Sequence, residues 1–122
     1  MIYEKELSDT IIELAKKIYA ELGNGYLEKV YENALMYEFG KARIHAEQQF
    51  ALPVRYDGSI IGEYYADIIV EKKIIIELKA IKAISTKHHA QLISYLKTTG
   101  IKVGYIINFG YFNCLQYKRI VF

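Results

Sequence analysis

The sequence predicts an α/β fold of the α+β type, a mixed sheet flanked by helices in the order α-α-β-β-β-α-β-β. Three observations carry that prediction. Apolar residues recur at helical intervals through the N-terminal third; the pattern then becomes that of strands around two tight turns; and a further helical stretch separates two strongly apolar runs. A helix placed between two strands allows a parallel, right-handed crossover.

The first helix is expected over about residues 4–22, where Ile11, Leu14, Ala15, Ile18, Tyr19 and Leu22 recur at intervals of three and four. Gly23-Asn24-Gly25 ends it by supplying left-handed backbone cheaply. A second helix follows from about Leu27 to Phe39, with Leu27, Val30, Tyr31, Ala34 and Leu35 on one side and Gly40 closing it. Gln49 to Tyr56 reads as extended, Asp57-Gly58 as a hairpin turn, and Ser59 to Val70 as the returning strand. Glu71-Lys72-Lys73 is a second tight turn into a strand from Lys73 to Ala80, apolar on both faces as a central strand should be. Ser85 or Thr86 caps a third helix carrying Ala90, Leu92, Ile93, Tyr95 and Leu96, which stops at Gly100. Lys102 to Asn108 and Cys114 to Val121 complete the strands.

The most apolar run, IIIELKAI from Ile74 to Ile81, contains Glu77 and Lys79. An unpaired buried charge costs several kcal/mol, so these two either pair or have a task. Two residues apart on one strand, they share a face, while Ile76 and Leu78 take the other. A hairpin turning near Glu71 to Lys73 sets Asp67 opposite Glu77, so that an Asp, a Glu and a Lys converge. Two such carboxylates suit Mg²⁺ or Mn²⁺, which accept a couple of carboxylates plus water and phosphate oxygens. With a neighbouring lysine, that is the equipment of metal-assisted phosphodiester hydrolysis. The competing explanation is a cross-strand ion pair at a sheet end.

Other polar positions group by helical spacing. Glu28 and Tyr31 share a face of the second helix, although the helix dipole alone would favour Glu28 near its start. Gln91 and Tyr95 share a face of the third helix, with Lys87 one turn earlier. His88 and His89 are adjacent and point apart, so zinc is not expected.

Composition bounds what else the chain does. At 122 residues with 52% hydrophobic and 25% charged residues and one proline, a single compact domain over 1–122 is expected. The lone cysteine, Cys114, excludes an intramolecular disulfide and points to a reducing, cytoplasmic setting. No apolar run approaches the roughly 20 residues that span a bilayer, so no membrane partner is expected. A net charge of +2 is too small for bulk attraction to nucleic acid, which makes any such contact local. Most of the 12 tyrosines are expected to be packing residues.

Gly25-Tyr26-Leu27-Glu28-Lys29-Val30-Tyr31 resembles the signature of the GxxExxY family. Asp67, then Glu77-Leu78-Lys79, then Gln91-Leu92-Ile93-Ser94-Tyr95, resembles the active-site series of the PD-(D/E)xK nuclease superfamily, to which that family is assigned. The similarity extends over nearly the whole chain to Asn108-Phe109-Gly110, with Ala66 where the superfamily name has proline. The resemblance implies a restriction-endonuclease-like core and a Mg²⁺- or Mn²⁺-dependent nuclease acting on nucleic acid, with DNA the expected substrate. It implies Asp67, Glu77 and Glu28 as metal-site acids, Lys79 as catalytic lysine, and Gln91 and Tyr95 as residues that orient the lysine or contact the nucleic-acid backbone. Tyr31 and Lys87 join that orienting or binding set. The alternative is a catalytically silent nucleic-acid or protein binding module on the same fold. A small nuclease acting on both strands of a duplex would pair as a homodimer.

Overall fold

The computed structural model describes residues 3–122, so the expected span 1–122 includes Met1 and Ile2, which lie outside the described residues. The elements run α1 (Lys5–Leu22), α2 (Glu28–Lys41), β1 (Ala46–Tyr56), β2 (Ser59–Val70), β3 (Ile74–Lys79), α3 (Thr86–Thr99), β4 (Val103–Asn108) and β5 (Gln116–Val121). This is the expected order. The five strands form one sheet in the order β1-β2-β3-β4-β5, and β3 is its centre. Every pairing is antiparallel except β3 with β4, which α3 joins in parallel.

Both hairpin turns have the backbone their strands require. Asp57 and Gly58 have φ of 53° and 79°, and Glu71 and Lys72 have φ of 53° and 54°. Positive φ at both central residues is the turn whose twist matches antiparallel strands. Glu71 adds a side-chain tie, its carboxylate accepting from the His45 amide at 2.7 Å. The Glu71-Lys72-Lys73 run is therefore a turn device.

Alternation along β3 sorts the core onto two faces. Ile74, Ile76 and Leu78 pack with Ile11, Ala15 and Ile18 of α1 and with Tyr31, Leu35 and Phe39 of α2. Ile75 packs on the other side with Leu92, Tyr95 and Leu96 of α3. Gly104 of β4 lets α3 approach, since a Cβ there would lie 2.8 Å from the Leu92 side chain. No helix among the described residues is long and apolar enough to cross a membrane.

Two details of α2 differ from the sequence reading. Leu27 is 80% exposed and Val30 39% exposed. Leu27 caps the helix in extended backbone, so its side chain leaves the stripe of Tyr31, Leu35 and Phe39 that its spacing would otherwise join, and Val30 lies to one side of that stripe. Gly40 does not close the helix, which runs to Lys41; Arg43, at φ 58°, takes the left-handed position instead. The strands also shift slightly, β1 starting at Ala46 because it pairs with β2 as far as Val70.

One aromatic contact fixes α2 against the sheet. The fully buried rings of Tyr31 and Phe109 stack with centroids 4.4 Å apart and planes 11° apart. The Tyr31 hydroxyl donates to the Gly23 carbonyl at 2.6 Å and accepts from the Tyr26 amide at 3.2 Å, tying down the α1–α2 loop. Phe109→Ala should therefore destabilise the protein by about 3–5 kcal/mol in denaturant unfolding. A loss below about 1 kcal/mol would mean that the site collapses without a cavity.

Candidate active site

The ladder between β2 and β3 stops at Ile68↔Ile76. One step further, Asp67 and Glu77 stand opposite each other and exchange side chains for backbone bonds. The Asp67 amide donates to Glu77 Oε1 at 3.1 Å, and the Leu78 amide donates to Asp67 Oδ2 at 2.8 Å. Buried backbone donors must find acceptors, and here two carboxylates replace the carbonyls of the neighbouring strand. The strands part there, with both acids in the opening.

The other edge of β3 stays closed. Glu77, Leu78 and Lys79 pair with Ile106, Ile107 and Asn108 of β4, and the Phe109 amide donates to the Lys79 carbonyl at 2.8 Å. Asn108, fully buried, then grips the exit of β3. Its Oδ1 accepts from the Ile81 amide and its Nδ2 donates to the Ile81 carbonyl, each at 3.0 Å. Gly110 closes against the same segment, where a Cβ would sit 2.3 Å from the Ile81 nitrogen. Lys79 is thus mounted on a segment held from β4 while its β2 side is open.

Burial sets the electrostatics. Loss of water pushes the Glu77 carboxyl up to about 8, the Asp67 charge adding to that and the Asp67 amide and Lys79 opposing it. Asp67 is also raised, chiefly by burial, against the Leu78 amide. Lys79 makes no salt bridge among the described residues, so the cross-strand ion pair offered by the sequence is not formed. Glu28 is exposed as a residue, yet its carboxyl is raised by partial desolvation, with Lys79 opposing and Asp67 and Glu32 adding.

The remaining predicted residues fall in three places. Tyr95 is 4% exposed, and burial together with the charges of Glu77 and Asp67 pushes its hydroxyl up to about 12, while a bond with Gln91 acts the other way. The Gln91–Tyr95 pair thus borders the carboxylates. Lys87 is exposed in the first turn of α3. Tyr31 is buried behind the site, where it positions α2 and meets no solvent. His88 accepts the Ser85 amide at 3.0 Å as a helix-capping side chain, its pKa lowered by burial and by Lys79 and Lys87.

A buried network missed in the sequence stands behind Asp67. Glu32, 4% exposed, accepts from Lys29 Nζ at 2.8 Å, Gln48 Nε2 at 2.6 Å and Gln49 Nε2 at 3.0 Å. The adjacent Gln48 and Gln49 of β1, just before the apolar run from Phe50 to Val54, form no recognisable motif with Glu32 in the sequence.

Asp67 and Glu77 offer hard oxygen donors in a partly dehydrated cleft, and a divalent cation would offset the loss of water that raises both and the Asp67 charge that adds to it at Glu77. Among the described residues, no three His, Cys, Asp or Glu side chains form a group that could hold a metal ion. Glu28 therefore does not complete a three-ligand cage with them. Mg²⁺ and Mn²⁺ commonly take one or two carboxylates and fill the rest of their shell with water and phosphate oxygens, so the pair fits such an ion.

A family model described as the PD-(D/E)XK nuclease superfamily matches residues 5–120. No curated protein matches the chain. Among solved structures, the crystal structure of SSO0001 is similar, with TM-score 0.56 and 19% identity over 97% of this chain. At that identity the likeness concerns the fold alone. The chain spans 57% of the length of that protein.

The raised Glu77 makes stability depend on pH. Its ordinary value of 4.5 in the unfolded chain becomes about 8 in the fold, so the folded state retains a proton the unfolded state releases. The associated stability is fully present below about 4.5 and is lost as pH rises through about 8. Without added metal, melting temperature should fall over that window in the wild type, and Glu77→Gln should fall less steeply, Asp67 and Glu28 still contributing. Parallel melting curves for the two proteins would show that Glu77 ionises without penalty.

Proposed function

The chain belongs to the PD-(D/E)XK nuclease superfamily, and from that premise we propose that residues 1–122 act as one Mg²⁺- or Mn²⁺-dependent nuclease domain that hydrolyses DNA phosphodiesters. Within the superfamily, Gly25, Glu28 and Tyr31 support a place among the GxxExxY proteins. The observation that carries the reading is the opposed pair Asp67 and Glu77 at the point where β2 and β3 part, with Lys79 two residues on and free of any salt bridge among the described residues.

In this reading Asp67 and Glu77 hold the cation. A bound divalent ion supplies charge against the phosphate oxygens and lowers the pKa of its water. Lys79, fixed by β4, directs its ammonium at the negative charge that builds on the scissile phosphate. Glu28 is the additional acid at the edge of the cleft, positioned by a helix that the Tyr31–Phe109 stack holds in place. Gln91 and Tyr95 border the carboxylates from α3, Gln91 being exposed for contact with the nucleic-acid backbone. Lys87, whose charge acts on His88 as that of Lys79 does, supplies local positive charge, which a chain of net charge +2 needs if it is to meet a polyanion at this cleft.

Purified protein should cleave DNA in Mg²⁺ or Mn²⁺ and stop on chelation, and Glu77→Ala and Lys79→Ala should each lose about 100-fold or more in rate. Equal residual cleavage by wild type and both variants would point to a contaminant. Salt-sensitive DNA binding without cleavage would identify a silent binding module instead.

A further inference from the structure

β1 and β2 keep a single register from Ala46↔Val70 to Val54↔Gly62, with one omission: Gln49, which would face Asp67, has no partner in the ladder. Gln49 has φ 48°, in the left-handed region that side-chain-bearing residues seldom occupy. The strands turn over at this point. Ala46 packs with the α1–α2 side, whereas Phe50 and Leu52 pack with the α3 side. On β2, Ile68 and Val70 belong to the first side and Ala66 to the second. Residues two apart on a regular strand would share a face, so both strands reverse across the Gln49–Asp67 position.

The Gln49 side chain uses that distortion. Its Nε2 donates to Glu32 Oε1 at 3.0 Å and to Asp67 Oδ1 at 3.4 Å. Glu32 is itself held by Lys29 and Gln48, so the amide is anchored from α2. The other Asp67 oxygen takes the Leu78 amide. Both oxygens of Asp67 are then fixed, one from β3 and one from α2 through Gln49. Glycine would adopt this backbone without strain but would bring no amide to Glu32 and Asp67, whereas the glutamine reaches both.

We infer that Gln49 is a positioning residue for the metal site, holding Asp67 in the orientation that accepts a divalent cation. This rests on the nuclease reading and goes beyond it by assigning a residue outside the superfamily's acid, acid and lysine series. Gln49→Gly removes the amide and relieves the backbone; Gln49→Asn tolerates the backbone but is one methylene short of reaching both acids.

The full chain is tested for metal-free melting temperature, Mn²⁺ affinity by titration calorimetry, and kcat and KM for DNA cleavage in Mn²⁺. Both variants should melt within a few degrees of wild type, bind Mn²⁺ about tenfold or more weakly, and lose kcat with KM for DNA little changed. Wild-type Mn²⁺ affinity and kcat in both variants would overturn the inference. So would a Mn²⁺ loss that appears only in step with a large drop in melting temperature in both, because Gln49 would then hold the hairpin and not the carboxylate. If the wild type binds Mn²⁺ and cleaves DNA while the variants match it, only the role of Gln49 fails; if the wild type does neither, the nuclease reading fails and this inference with it.

Discussion

Everything at the cleft depends on one exchange: Asp67 and Glu77 each accept a backbone amide from the opposing strand, where the β2–β3 ladder would have continued. A regular sheet would bury carbonyl acceptors at these positions and leave no room for a ligand. Replacing them with carboxylates satisfies the same amides, opens the strands, and puts two acids side by side in a partly dry gap. The cost is electrostatic and falls mainly on Glu77, which is 5% exposed. A divalent cation at the same place would offset that cost, since both carboxylates would attract its charge.

Such an opening has to be braced, or the strands would slide together or fray. The bracing comes from β4 and α2. Asn108 and Gly110 hold Ile81 and so define where β3 ends, while the parallel pairing through Lys79↔Asn108 keeps the lysine in register with the acids. Tyr31 and Phe109 join α2 to the end of β4, and α2 carries both Glu28 and Glu32 toward the cleft. The polar motifs at the start of α2 and the end of β4 therefore meet through two buried rings. The consequence is a central strand that stays paired with β4 as far as Lys79 on one edge and is open beyond Ile76 on the other.

Much of this was legible in the sequence because it follows from strong local signals. The Asp57-Gly58 turn marks where β1 and β2 double back, although their register shifts at Val54/Arg55, and Glu71-Lys72 sets the second hairpin closely enough to bring Asp67 opposite Glu77. The apolar run around Glu77 marks the central strand for the same reason that its charges look out of place. What was not legible depends on departures from regular periodicity. Leu27 has the spacing of the buried stripe but caps α2 in extended backbone, so its side chain faces water. Tyr31 lies one turn from Glu28 and so looks like a site residue as well as a member of the apolar stripe; the approach of Phe109, 78 positions later, shows that its ring is core. Glu32 and Gln49 met no pattern because their partnership needs β1 to turn over beside Asp67, and nothing in the run Gln48-Gln49-Phe50 announces a left-handed residue.

The most direct measurement is anomalous diffraction from crystals of the full chain grown with Mn²⁺. The predicted result is an ion between Asp67 and Glu77, with the Lys79 ammonium beside the cleft and the two carboxylates still carried on parted strands. An ion bound elsewhere, or none while each carboxylate keeps its hydrogen bond to the opposing amide, would contradict the claim that the strands part in order to hold a metal.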